Sequence, residues 1–177
     1  MDAAGPTAAR PPPPYSWRVG AIDERLAELG IELPKPFAAP PGVTFKFERV
    51  KVHGDLIHIS GHGPMDGTDV LASGKVGARV DVDAAAEAAR LTGLSIISSL
   101  KAELGDLDVV GSWVRAFGMV NTAEGFNSMP AVINGFSGLL LDIWGPEAGA
   151  HARSAIGVAS LPFDWPVEIE AVAALNA

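Results

Sequence analysis

The sequence predicts an α+β domain in which one sheet carries two long helices on a single face. Three observations predict it. Period-two alternation marks the stretches near residues 43–62 and 152–174, and a long helical repeat fills the middle of the chain. Between that repeat and a second helical stretch lies a strand that is apolar on both faces. The order strands, long helix, strand, helix, strands favours a sheet with its helices gathered on one side. The remaining apolar face is then expected to meet another subunit.

The elements follow in chain order. Residues 1–18 form a proline-rich arm, with Pro11 to Pro14 in a row, and residues 19–177 form one domain. Ile22, Leu26 and Leu29 share a helical face that Gly30 should stop, and a connector runs from Pro34 to Pro41. Phe45, Phe47 and Val50 to Val52 begin a strand over Val43 to His62 that turns at His53-Gly54-Asp55 and resumes at Leu56 to Ser60. Gly61 to Gly67 reads as a loop and not as a phosphate cradle, because no helix opens behind it.

Asp83 is the predicted N-cap of a helix to Leu104, ended by Gly105. The doubly apolar strand runs from Val109 to Asn121, with Trp113, Phe117 and Met119 on one face and Val110, Val114, Ala116 and Val120 on the other. A second helix spans Phe126 or Pro130 to Ile143, with Pro130 tolerated in its first turn. Strands over Ala152 to Ser160 and Pro166 to Ala174 close the chain.

Composition narrows the function. The 177 residues suit one ordinary core. The chain has no cysteine, so disulfides, thiolate metal sites and thiol nucleophiles are excluded. With 21 Asp plus Glu against 13 Lys plus Arg and no basic run, nucleic acid is a poor partner. No apolar stretch approaches the roughly 20 residues of a membrane span, and Met1 to Pro14 lacks a signal peptide's basic flank and apolar core. A cytoplasmic protein is expected. Hydrophobic residues make up 48% and charged residues 19% of the chain, a sparse charge that is consistent with self-association.

Few side chains suggest chemistry. His58 and His62 share a face if their strand is regular, but lie about 13 Å apart, too far to ligate one ion. No metal is expected. Ser137, in Gly135-Phe136-Ser137-Gly138, lacks the spacing of a nucleophile elbow. Arg153 is the only cation among the small and apolar residues of His151 to Ala159, so its guanidinium needs an anion. Glu168 and Glu170 alternate with apolar residues on the last strand. Arg153 either bridges to one of these glutamates or is free to grip an incoming carboxylate.

The closing segment, from Ala152-Arg153-Ser154 through Leu161-Pro162 to Val167-Glu168-Ile169-Glu170-Ala171, resembles the C-terminal signature of the YjgF/RidA family. Ile59-Ser60-Gly61 is similar to a second block of that family. The resemblance covers about Val43 to Ala174. It implies a chorismate-mutase-like fold, a mixed sheet with two helices on one face, assembled as a barrel-like homotrimer with a cleft at each subunit boundary.

In members that deaminate enamines and imines, it implies that Arg153 binds the substrate carboxylate and Glu168 handles the attacking water, with no cofactor. Phe47, Ser60, Gly61, Pro130 and Ala155 are the further pocket positions it points to. The sequence departs from the deaminase pattern at three of these. Phe47 stands for a tyrosine, Ala155 for a cysteine and Pro130 for an asparagine, within a block that looks like a distinct subgroup.

The implied function is therefore a small-carboxylate-binding trimer, either a hydrolase of the 2-iminobutanoate/2-iminopropanoate deaminase type or a non-catalytic ligand-binding protein. Endoribonuclease and translation-inhibitor roles, also attached to the family by name, fit the acidic balance poorly.

Overall fold

The computed structural model describes residues 20–39 and 42–176; the N-terminal arm and Pro40 and Pro41 of the connector lie outside them. Helix α1, Ala21–Glu28, buries Ile22 and Leu26 as the sequence pattern predicts, and Gly30 leaves it with φ 64°. Its N-terminus is closed by a distant aspartate. The Asp108 carboxylate accepts the amides of Gly20, of Ala21 at 3.0 Å and of Ile22 at 2.9 Å. Those are the donors a helix start leaves unpaired.

Strands β1, Val50–His53, and β2, Leu56–His62, form the predicted hairpin, with Val50 opposite Ile59 and His53 opposite Leu56. The stretch before it is not a strand. Residues 43–49 follow an irregular path, in which Phe45 packs 5.3 Å from the Phe37 ring and Phe47 5.1 Å from Phe45. The glycine-rich stretch is not all loop either. β2 continues through Gly61 and His62, and short strands β3, Met65–Asp66, and β4, Asp69–Val70, pair with each other.

Helix α2 spans Val82–Leu104, and its cap is Asp81, whose side chain accepts from the Ala84 amide at 2.8 Å. The predicted cap, Asp83, lies in the first turn, where its charge still complements the helix dipole. Helix α3 spans Met129–Ala148, with Pro130 in the first turn. It runs past Ile143 to a break at Gly145 (φ 77°), followed by Pro146. The helices touch closely at Gly135, where a Cβ would stand 1.9 Å from the Ala86 carbonyl oxygen.

Strand β5, Val110–Asn121, is the long central strand, and a bulge between Trp113 and Arg115 resets its faces. An extra residue turns the following side chains over. Trp113 therefore joins Ala116 and Val120 in the core instead of Phe117 and Met119, and it meets Phe136 and Trp144 edge-on at 6.0 and 5.3 Å. Val114, grouped by the sequence pattern with Val110, Ala116 and Val120, is 43% exposed.

Strand β6, Ala152–Val158, runs parallel to β5, and β7, Val167–Leu175, runs antiparallel to β5 and β2, giving the mixed order β1-β2-β7-β5-β6. Ile57, Ile59, Ala116, Val120, Ala171 and Ala173 pack with α2 and α3 into one core. The other sheet face carries Phe117, Met119, Ile156 and Val172 with Arg115, His58, Glu168 and Glu170, and no element among the described residues covers it. No helix among the described residues is long and apolar enough to cross a membrane.

Candidate functional site

Arg153 sits on the edge strand β6 opposite Ala116, so its side chain rises on the helical face of the sheet. Three acceptors from the first turns of α3 hold it. Nη1 donates to Ser137 Oγ at 2.8 Å, while Nη2 donates to Asn134 Oδ1 at 2.7 Å and to the Pro130 carbonyl at 3.1 Å. All three are neutral. A guanidinium carries five N–H groups, so these bonds leave donors over. Among the described residues Arg153 has no ion pair. The bridge to Glu168 or Glu170 that the sequence leaves open is not formed within the chain.

Beside Arg153 is a pair that the sequence reading did not select. His151 Nδ1 lies 2.9 Å from the Gly149 carbonyl, which can only accept, so Nδ1 carries the proton and Nε2 is an acceptor. Ser137 Oγ, 3.1 Å from Nε2, then donates to it while accepting from Arg153. The Phe136 ring stands edge-on to the imidazole at 5.8 Å. Asn134, Ser137, Leu141, Ala150, His151 and Arg153 line a cleft of about 280 Å³ here. The signal available was the alternation His151-Ala152-Arg153 at a strand start, which puts two polar side chains on one face.

Glu168 lies elsewhere. It pairs with Met119 on β5, one residue out of phase with the core-facing Gly118 and Val120, so it points to the uncovered face. Its carboxylate rests on the backbone of Gly61, where a Cβ would be 2.0 Å from Oε1. Burial, and secondarily the charge of Glu170, raise its pKa above the usual carboxylate value. Ser60 Oγ donates to the Glu48 carbonyl at 2.8 Å, tying β2 to the segment that carries the exposed Phe47.

The predicted positions thus fall into two groups. Arg153, Pro130 and Ala155 gather on the helical face at the β6 edge, and Glu168, Gly61, Ser60 and Phe47 gather toward β2. Arg153 and Glu168 stand two strands and three residues apart, about 14 Å between their Cα atoms from standard sheet spacings, on opposite faces.

A further hollow of about 240 Å³ opens on the uncovered face between His58, Ser60, Arg115, Phe117, Glu170 and Val172. Arg115 lies over the Phe117 ring at 5.8 Å.

The two histidines of β2 do not share a face. A bulge between Ile59 and His62 turns His62 into the core, fully buried, while His58 stays exposed. His62 Nδ1 donates to the Ser60 carbonyl at 2.7 Å and Nε2 accepts from Ser99 at 2.9 Å, so the ring is satisfied as neutral imidazole. Burial lowers its pKa to about 4, with Arg49 adding a smaller push and the Ser60 bond opposing it. Among the described residues no group of three or more His, Asp or Glu could hold a metal.

Residues 23–169 match the family described as "YjgF/chorismate mutase-like, putative endoribonuclease". The chain belongs to that family. Protein TCP17 of Trypanosoma cruzi, similar to this YjgF-family chain, is 38% identical over 157 residues, covering 89% of this chain and 96% of the relative. The crystal structure of Atu1372 from Agrobacterium tumefaciens matches with a TM-score of 0.78 at 36% identity, covering 88% of this chain and 93% of that one. A Shewanella oneidensis structure carrying the same endoribonuclease description matches at 0.79 and 30%, covering 87% and 99%. The YjgF fold expected from the closing segment is the fold observed.

Proposed function

We propose that this protein binds small carboxylate-bearing molecules through Arg153 and hydrolyses 2-imino acids, or the enamines in equilibrium with them, to 2-oxo acids and ammonia. The observation that carries this reading is a half-buried guanidinium held by three neutral acceptors in a cleft, with no acid among the described residues paired to it. Such a group is oriented and still electrically unmatched. A carboxylate docking on it makes charge-assisted bonds of roughly 1.5 to 3 kcal/mol. The imine carbon is already electrophilic, so holding it beside an oriented water supplies much of the rate enhancement.

The same reading has three copies packing through their uncovered sheet faces into a trimer. Apolar Phe117, Met119, Ile156 and Val172 on that face support it. Each cleft is then composite, with Arg153 from one protomer and Glu168, resting on Gly61, from its neighbour. Glu168 meets the water there.

A non-catalytic sensor of oxo or amino acids is favoured by one specific observation. Phe47, Ala155 and Pro130 bring no polar side chain to the site. The endoribonuclease description of the relatives is a weaker guide, because a chain of net charge −8 repels phosphate backbones.

Stopped-flow absorbance with imines generated in place by an amino-acid oxidase separates the readings. Decay faster than in buffer, abolished in Arg153→Ala, supports hydrolysis. Decay no faster than in buffer across several side chains leaves only the sensor.

A further inference from the structure

Glu168 lies on the far face of the sheet from Arg153, yet the Arg153 cleft has polar machinery of its own. Ser137 Oγ stands between a guanidinium that donates to it and an imidazole that accepts from it. The Gly149 carbonyl fixes the tautomer by taking the Nδ1 proton, which leaves Nε2 as the only basic nitrogen and aims it at Ser137. A hydroxyl oxygen has two lone pairs; Arg153 uses one, and the other has no donor among the described residues. Arg153 is the charged group that shares this cleft with His151, since Asn134, Ser137, Leu141, Gly149 and Ala150 are uncharged.

We propose that Ser137 and His151 form a proton relay serving the Arg153 cleft of about 280 Å³, taking the proton of the water that Glu168 of a neighbouring copy orients. This rests on the hydrolytic reading above and names the residues that move its protons. A water bound to the free lone pair of Ser137 gives up a proton to Oγ as the Ser137 proton passes to His151 Nε2. The water oxygen bonds to the iminium carbon, and the carbon–nitrogen π pair moves to nitrogen, giving a neutral carbinolamine and an imidazolium.

The imidazolium then protonates the amine. Ammonia leaves as the hydroxyl lone pair closes the carbonyl, and the hydroxyl proton goes to the departing ammonia. His151 is neutral again, and no other reactant is needed. Ser137 is not a nucleophile in this scheme: it sits within α3, where the neighbouring backbone amides are committed to the helix and offer no oxyanion site.

The test uses full-length protein and 2-imino acids formed by an amino-acid oxidase. General-base catalysis typically contributes about 100-fold or more. His151→Ala and Ser137→Ala should each lower kcat by about that factor with KM changed less than about threefold, whereas Arg153→Ala raises KM as well as lowering kcat. Added imidazole should restore much of the His151→Ala rate and none of the Ser137→Ala rate, an outcome that a merely structural histidine would not produce. Wild-type turnover with both relay variants at full rate, or with no imidazole rescue, overturns the relay and leaves the hydrolytic reading standing. Absence of wild-type turnover removes both.

Discussion

Arg153 and Glu168 are carried by strands on either side of β5 and point to opposite faces of the sheet, so one chain cannot bring both to one ligand. If both serve a single cleft, they come from different copies. Mixing Arg153→Ala and Glu168→Gln chains, each inactive alone, should rebuild intact clefts in about one quarter of positions after subunit exchange. Imine hydrolysis measured before and after mixing checks this. Recovery should track the appearance of mixed oligomers by native mass spectrometry, and mixed oligomers without activity would argue against a composite site.

His62 ties acid stability to a single buried ring. Its folded pKa, about 4, lies below the ordinary 6.5, so its contribution is whole above pH 6.5 and is lost as pH falls toward 4. The shift corresponds to about 3 kcal/mol. Glu168, whose pKa is raised, acts in the opposite sense, favouring the fold at low pH and less so as pH rises through its folded value. Urea unfolding of wild type and His62→Gln at pH 7 and pH 4 should show the gap between them shrinking by about 3 kcal/mol. A gap independent of pH would mean that His62 does not titrate with unfolding.

Asp108 joins α1 to the turn between α2 and β5. Replacing it with alanine leaves three amides at the α1 start without an acceptor and removes a buried carboxylate's bonds. The expected loss is about 2 to 4 kcal/mol by chemical denaturation. Hydrogen exchange should show early opening confined to α1, while the α2 and α3 amides keep their protection. Uniform loss of protection would show that α1 is not a separable unit.

Much of this fold is legible in the sequence because its signals are local. Ile57 and Ile59 alternate as a half-buried strand must, the α2 repeat is continuous from Ala85 to Leu100, and glycines close α1 and α2. What the pattern misses depends on single inserted residues. The bulges after Ile59 and Trp113 exchange faces, sending His62 and Trp113 inward and Val114 outward, and a strict period-two reading has no term for that.

The α1 cap is hidden for another reason: its aspartate is 86 residues from the Ile22 amide. At the candidate site, a lone cation among small residues marks Arg153 in the sequence. Its partners do not show there, because they lie 16, 19 and 23 residues earlier on a helix whose crossing of β6 only the fold sets.

The claim on which the rest depends is that the Arg153 guanidinium is free to take a carboxylate from solution. Isothermal titration of the intact protein with 2-oxobutanoate, alongside Arg153→Ala, tests it most directly. The account predicts saturable heat at one ligand per chain in the wild type, with affinity reduced at least about 10-fold in the variant. Equal affinity in the two proteins would contradict it.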